Sequence, residues 1–73
     1  MQSLNFEERE IFHQVMAEVW PLLTDRQAEC LRLQVDGKTQ AEVGVILGIP
    51  QQTVSFHVRA ARRKVAEVAS GYV

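Results

Sequence analysis

The sequence predicts an all-α domain built from four helices, and two observations carry this prediction. Three segments begin with a polar residue that is followed three positions later by a glutamate or a glutamine, which is the pattern of a helix start. In these segments and in the one near the carboxyl end, apolar residues recur with helical spacing. The 73 residues make one small domain, since no repeat, low-complexity stretch or linker separates a second one.

The first predicted helix lies within residues 1–21. Asn5 and Glu8 mark its start, and Trp20-Pro21 mark its end, because the residue before a proline avoids the helical region. Six apolar side chains sweep about half of its circumference, which is wider than one small core requires. We therefore predict that this face contacts a second copy or another protein, although packing on the long helix of the same chain is the alternative. The six are Ile11, Phe12, Val15, Met16, Val19 and Trp20.

Two scaffold helices are predicted within residues 22–48. Thr24 and Gln27 form a capping box at the start of the first, and Asp36-Gly37 closes it. Its inward residues are expected to be Ala28, Cys30, Leu31 and Val35.

The second scaffold helix has a capping box of Thr39 and Glu42 and a C-terminal Gly48, where a left-handed residue is needed. Gly44 is unusual, because a glycine inside a helix costs roughly 1 kcal/mol against alanine. A close crossing by the next helix would explain it, and plain tolerance is the alternative.

The last predicted helix spans residues 49–69 and follows a turn of Gly48-Ile49-Pro50, in which proline suits a helix entrance. One face is apolar, through Val54, Val58, Ala61 and Val65. The other face suits the major groove of DNA, because its side chains pair with base edges and phosphates. A solvated basic face is the alternative, but the capped helix at turn distance gives a helix-turn-helix arrangement. The outward residues are Gln51, Gln52, Ser55, Arg59, Arg62 and Arg63.

Charge is distributed unevenly, although the net charge is only −1. Four glutamates against one arginine give residues 1–20 a charge of −3, and residues 21–48 carry −1. Four cations against one glutamate give residues 49–73 a charge of +3. Positive charge on the last helix favours nucleic-acid binding, and so few cations predict weak binding by a monomer.

Residues 22–65 resemble the LuxR/GerE-type DNA-binding domain. The resemblance is carried by residues 23–33, by 37–43, by Leu47-Gly48-Ile49, by residues 53–58 and by Arg63-Lys64-Val65. The Phe56-His57 pair is most similar to the quorum-sensing branch. Region 4 of sigma factors is a second resemblance, since it shares the motif and often carries Gly-Ile-Pro at the turn.

The resemblance implies that Ser55 and Arg59 read bases, and the outward glutamines of the same helix extend this set. It also implies that the start of the second scaffold helix and the arginine cluster hold phosphates. The predicted base-reading residues are Gln51, Gln52, Ser55 and Arg59, and the predicted phosphate-binding residues are Lys38, Thr39, Gln40, Arg62, Arg63 and Lys64.

The chain departs from the family pattern in three places. Gln27 stands where the family usually has glutamate, and Pro50 stands where a serine-like cap is usual. A further helix that the family commonly uses for dimer contacts does not follow Val65, which leaves the surface of a dimer open.

Other functions find little support in the sequence. His13, His57 and the single Cys30 lack metal-ligand spacing, and no glycine-rich phosphate loop or nucleophile set is present, so we expect no enzyme, metal or cofactor. Cys30 is expected to be a buried thiol. No membrane span, signal peptide or small-molecule ligand is expected, and a lone cysteine fits a cytoplasmic location.

These observations predict a small sequence-specific DNA-binding transcriptional regulator that acts as a homodimer on double-stranded DNA. An alternative is a protein-interaction module that binds a larger LuxR-type regulator or an RNA polymerase or sigma component and antagonises or redirects it. A sigma-region-4-like module that binds promoter DNA and polymerase together is the third.

Overall fold

A computed structural model describes residues 5–72, and residues 1–4 and 73 of the predicted domain lie outside this range. The described chain is all-α, as the sequence predicts. Four α-helices follow one another, with a 3₁₀ turn at Trp20–Leu22 after the first. They are α1 (Phe6–Val19), α2 (Asp25–Val35), α3 (Gln40–Leu47) and α4 (Gln51–Ser70).

The two predicted capping boxes of α2 and α3 are formed, and the predicted start of α1 at Asn5 and Glu8 is a third, which explains where the three helices begin. The Asn5 side chain accepts a hydrogen bond from the Glu8 amide at 2.8 Å. In α2 the Gln27 amide donates to the Thr24 hydroxyl at 3.2 Å, and the Gln27 side chain accepts from the Thr24 amide at 3.1 Å. These reciprocal bonds satisfy amides that have no partner inside a helix.

The end of α1 differs from its prediction in conformation, though not in position. The α-helix ends at Val19, but Trp20 keeps helical angles (φ −49°, ψ −48°) despite preceding Pro21. The chain tightens into the 3₁₀ turn, and Leu23 then becomes extended and leads to α2. The Trp20 ring lies 5.0 Å from the Arg32 guanidinium carbon, a cation–π contact that ties this turn to α2.

Two apolar clusters make the core, and both involve the inner face of α4. One consists of Cys30, Val43, Val54 and Val58, all at most 1% exposed, with Leu33, Leu47 and Ile49 packed against it. The other consists of Met16, Leu31 and Ala61, with Trp20, Leu23 and Val65 around it. Helix α4 is therefore the element on which the other three helices pack.

The inward face of α2 was predicted only in part. Cys30 and Leu31 are buried and Ala28 is half-buried, but Val35 is 53% exposed, so its predicted place in the core is wrong. Helix α1 packs on Leu31 through Met16, one turn before Val35. Val35 consequently lies at the rim of a cleft beside Phe12 and Met16.

The apolar face of α1 serves the chain's own core more than the sequence suggested. Val15, Met16 and Val19 are buried, at most 7% exposed, and are therefore core residues rather than part of a free interface. Trp20 is half-buried. Ile11 and Phe12 remain 45% and 42% exposed, so only the start of this face is free.

Candidate nucleic-acid interface

Helices α3 and α4 form the predicted helix-turn-helix, and Gly44 permits their close approach. A Cβ atom added at Gly44 would lie 2.8 Å from the Ile49 carbonyl oxygen, inside van der Waals contact. The Ile49 amide also donates to the Gly44 carbonyl at 3.0 Å. Gly48 adopts the left-handed conformation (φ 69°) that turns the chain here. Close crossing is therefore the reason for the glycine, and the tolerance alternative is unnecessary.

The rotation of α4 about its axis is fixed by its apolar face. Val54, Val58 and Ala61 are buried, and Val65 is half-buried, as predicted. The outward set is correspondingly exposed, except that Ser55 is half-buried at the edge of the face. The exposed members are Gln51, Gln52, Arg59, Arg62 and Arg63.

Helix α4 begins without a side-chain cap, because the side chain of Pro50 has no hydrogen-bonding group. Its angles (φ −61°, ψ 148°) direct the chain into the helix. The amides of the first turn that no carbonyl accepts point out of the helix end, where they favour a negatively charged partner. Gln51 and Gln52 occupy this turn and are exposed. This helix end is thus the part of the motif whose backbone is available to DNA phosphates or bases.

Two of the four residues predicted to read bases, Ser55 and Arg59, are joined by a hydrogen bond. The Arg59 guanidinium donates to the Ser55 hydroxyl at 3.3 Å, one helical turn away. A guanidinium has five N–H donors in a fixed fork, so this bond leaves donors for a bidentate contact with guanine. The pair therefore holds Arg59 along the helix surface without using up its hydrogen-bonding capacity.

Two of the three cations in the predicted phosphate cluster already have partners within the chain. The Arg62 guanidinium donates to the Gln34 side-chain oxygen at 3.4 Å. The Lys64 ammonium lies 3.3 Å from a Glu67 carboxylate oxygen, and this exposed ion pair offsets its charge. Arg63 is exposed on the same turn. The arginines thus offer more free positive potential to DNA than the lysine does.

The start of α3 offers fewer contacts than the sequence suggested. The Thr39 amide donates to the Glu42 carboxylate at 2.9 Å, and the Thr39 hydroxyl accepts from the Glu42 amide at 3.1 Å. Hydrogen bonding of the Glu42 carboxylate to the Thr39 backbone and side chain, with the Lys38 charge, holds the pKa of Glu42 below its usual value. An ionised carboxylate therefore lies beside the position expected for a phosphate. Lys38 is exposed and Gln40 is half-buried.

Phe56 is a candidate that the sequence reasoning missed. It is 67% exposed, although it lies within the long helix α4. It lies four residues after Gln52 and three before Arg59, which places it in the outward row. Its ring meets the His57 ring edge-on, with centroids 5.9 Å apart. An aromatic ring among polar outward residues was the available signal, and it suits contact with a thymine methyl group.

His57 lies on the packed side of α4 rather than in the outward row. The residue is half-buried, and its ring atom Nδ1 is buried with no hydrogen-bond partner among residues 5–72. This burial favours a role for His57 in helix packing rather than in contact with DNA. Cys30 is fully buried, as predicted, and burial raises the pKa of its thiol.

Two further properties concern the described part of the chain as a whole. Within residues 5–72, no three histidine, cysteine or acidic side chains form a group that could hold a metal ion. In the same range, no helix combines the length and apolar character needed to cross a membrane.

Comparison with known proteins identifies the class to which this helix-turn-helix belongs. The model of the family described as bacterial regulatory proteins, luxR family, matches residues 21–69, so the chain belongs to that family. This match covers α2, α3 and nearly all of α4, and it decides between the two resemblances in favour of LuxR/GerE. Helix α1 lies before the matched segment.

Individual relatives are bacterial transcription regulators. The chain is 48% identical over 42 residues to the transcriptional activator protein AhyR of Aeromonas hydrophila, covering 58% of the chain and 16% of the relative. It is 42% identical over 40 residues to the regulatory protein SdiA of Escherichia coli, covering 55% of the chain and 17% of the relative. RpaR of Rhodopseudomonas palustris, named as a quorum sensing-dependent transcriptional regulator, is 48% identical over 42 residues, which are 58% of the chain and 17% of RpaR.

The matched segment is a luxR-type DNA-binding domain of a transcription regulator, which makes DNA its partner. The matches span about a sixth of the length of these relatives. No solved structure matches the chain.

Proposed function

We propose that this chain is a sequence-specific DNA-binding transcription regulator that binds its site as a homodimer and has no enzymatic activity. The observation that carries the proposal is the outward face of α4. Its rotation is fixed by three buried apolar residues, and its exposed side carries glutamine and arginine. Membership of the luxR family supports the same use of this helix.

In this proposal, α4 lies in the major groove with its first turns toward the base edges. Gln51, Gln52, Ser55 and Arg59 read bases, and Phe56 adds an apolar contact. The start of α3 and the arginine cluster on the later turns of α4 hold the phosphates on either side. The phosphate-binding residues are Lys38, Thr39, Gln40, Arg62, Arg63 and Lys64.

The dimer is proposed because one copy offers few phosphate contacts. Affinity for DNA rests on neutralising several phosphates, and the chain carries a net charge of −1. Two copies on one duplex double both the phosphate contacts and the number of bases read.

The test compares two arginine variants on one helix. The wild-type chain is first used to select its preferred duplex from a random pool, and dissociation constants are measured for that duplex and a scrambled one. Arg59→Ala should raise the Kd for the selected duplex by about 5- to 100-fold and reduce the preference over the scrambled one. Arg63→Ala, the matched control, should weaken both duplexes alike. A wild-type chain that selects no sequence would contradict the proposal.

A second candidate function is a protein-interaction module that binds a larger luxR-type regulator or an RNA polymerase component. The exposed Ile11 and Phe12 on an acidic helix favour it, since exposed apolar surface often marks an interface. The two functions predict different results with DNA. A module of this kind would form a complex with the regulator or polymerase and show no preference among duplexes.

A further inference from the structure

We propose that the face formed by α1, the end of α2 and the second half of α4 binds the same face of a second copy of this chain. The inference rests on the proposed function only in that it names the surface of the proposed dimer. It concerns α1, which lies before the segment matched by the family model.

Two open clefts lie side by side on this face, and we call them the upper and the lower cleft. The upper cleft, of about 310 Å³, is lined by Glu8, Ile11, Phe12, Val15, Val65 and Ala69. The lower cleft, of about 350 Å³, is lined by Phe12, Met16, Leu31, Gln34, Val35, Arg62 and Val65. Phe12 and Val65 line both clefts and therefore mark the boundary between them.

The face is apolar at its centre and carries opposite charges on its two sides. Phe12 is 42% exposed at the boundary, with Ile11 at 45% beside the upper cleft and Val35 at 53% beside the lower one. Glu8 is the charged residue of the upper cleft, and Arg62 is that of the lower cleft. An apolar centre with a polar rim is the usual composition of a protein interface.

This arrangement is complementary to itself under two-fold symmetry. A two-fold axis through the boundary at Phe12 brings the upper cleft of one copy against the lower cleft of the other. Glu8 of each copy then faces Arg62 of the other, and the two exposed phenylalanines meet near the axis. Another partner would need a positive group opposite Glu8 and a negative group opposite Arg62. A second copy of this chain supplies both groups through its own Arg62 and Glu8.

The proposed face leaves the base-reading surface free. Gln52, Phe56 and Arg59 line neither cleft. Arg62 lies between the two surfaces, since it lines the lower cleft and also donates to Gln34. A dimer of this form therefore leaves the outward face of α4 uncovered in both copies.

Sedimentation equilibrium of the full chain without DNA, over a concentration series, tests the inference. The wild type should have the mass of two chains at high concentration. Phe12→Asp should have the mass of one chain throughout, because a carboxylate would be buried at the axis. Circular dichroism checks that this variant remains helical.

Charge exchange gives the sharper test, since it does not depend on removing apolar surface. Each pair occurs twice in the dimer, so Glu8→Arg and Arg62→Glu should each raise the dimer Kd about tenfold. The double variant should return to within about threefold of the wild type.

Glu7→Arg and Arg63→Glu make the same charge changes at residues that line neither cleft and should leave the Kd near wild type. Glu8→Gln removes the negative charge but should keep the cap of α1, because glutamine fills the same capping role in α2. It therefore distinguishes a loss of charge from a loss of the helix cap.

Several outcomes would overturn the inference. One is a wild-type mass of a single chain at every concentration, including the case in which that chain instead binds a luxR-type regulator or polymerase. Others are a dimer that Phe12→Asp leaves intact, and single charge reversals that the double variant does not rescue. The proposed function is judged separately on duplex binding. A monomer that selects a DNA sequence would contradict this inference alone, and a dimer that selects none would contradict the DNA-binding proposal alone.

Discussion

Solvent exposure distinguishes apolar residues that bind a partner from those that pack in the core. Phe56 and Val58 are both apolar and only two positions apart on α4, yet one is 67% exposed and the other 1% exposed. The difference follows from the helical period, which turns Phe56 outward when Val58 faces the core. Apart from the edge-on contact with His57, the exposed Phe56 ring does not pack on the core, so its role is expected in binding.

Phe56→Ala should therefore change DNA binding without changing stability. We expect the Kd for the preferred duplex to rise about fivefold through loss of the thymine methyl contact, with binding to a scrambled duplex unchanged. Leu22→Ala is a control, because Leu22 is similarly exposed (56%) but lies outside the helix-turn-helix. A lowered unfolding midpoint for Phe56→Ala, with unchanged selectivity, would contradict the assignment.

Gly44→Val should destabilise the fold. Even the first carbon of the side chain would lie 2.8 Å from the Ile49 carbonyl oxygen, and a backbone oxygen cannot swing away as a side chain can. We expect a loss of about 2–3 kcal/mol in the free energy of unfolding, measured by denaturant titration. Ala41→Val places the same side chain at an exposed position of α3 and controls for helix propensity. Equal stability losses in the two variants would rule out the crowding explanation.

At the scale of the elements, the helix starts are set by three capping boxes that differ in charge. The boxes of α1 and α3 use a glutamate as the third helical residue, and the box of α2 uses Gln27. All three make the same pair of hydrogen bonds, but only a glutamate can be protonated. Helix starts in one small domain should consequently respond differently to acid.

Thr39→Ala and Thr24→Ala should each cost about 1 kcal/mol of unfolding free energy near neutral pH. Because the folded chain lowers the pKa of Glu42, its contribution is complete above the unfolded pKa and is lost as the pH falls through the folded pKa. The cost of Thr39→Ala should therefore shrink in acid, whereas that of Thr24→Ala should stay constant. Denaturant titrations between neutral and acidic pH check this, and parallel pH profiles would contradict it.

At the scale of the whole molecule, charge is separated between the first helix and the last. The acidic residues of α1 lie on the helix that packs against α4, and the arginines lie on the opposite, outward side of α4 or at its edge. Binding to DNA is accordingly expected to involve a small number of phosphates, despite the negative net charge.

The salt dependence of DNA binding should report that number. Four predicted phosphate-binding cations per chain, Lys38, Arg62, Arg63 and Lys64, make eight in the proposed dimer and give a slope of about 7 for log Kd against log salt concentration. Arg63→Ala should reduce the slope by about 2, because each copy loses one contact. Fluorescence anisotropy over a salt series measures it. A slope near zero, or one that Arg63→Ala leaves unchanged, would contradict the assignment of phosphate contacts to α4.

Most of the fold and the outward row of α4 were predictable because they depend on short-range relations. Capping boxes join residues three apart, and the apolar row of Val54, Val58 and Ala61 repeats every three or four residues. The glycine at position 44 likewise predicted the close crossing. Phe56 was missed because it is apolar, and apolar residues are expected in the core, although its position on α4 places it in the outward row.

The positions of the helix ends and the outward side of α4 follow from local sequence, since hydrogen bonds and helical periodicity act within one or two turns. Which apolar residues remain exposed depends instead on how the helices pack. The crossing of α1 over α2 and α4 buries Val15, Met16 and Val19 and leaves Phe12 and Val35 exposed. It also places Glu8 and Arg62, which are 54 positions apart, on neighbouring clefts of one face. Helix crossings depend on the packing of whole side-chain surfaces, which no local pattern specifies.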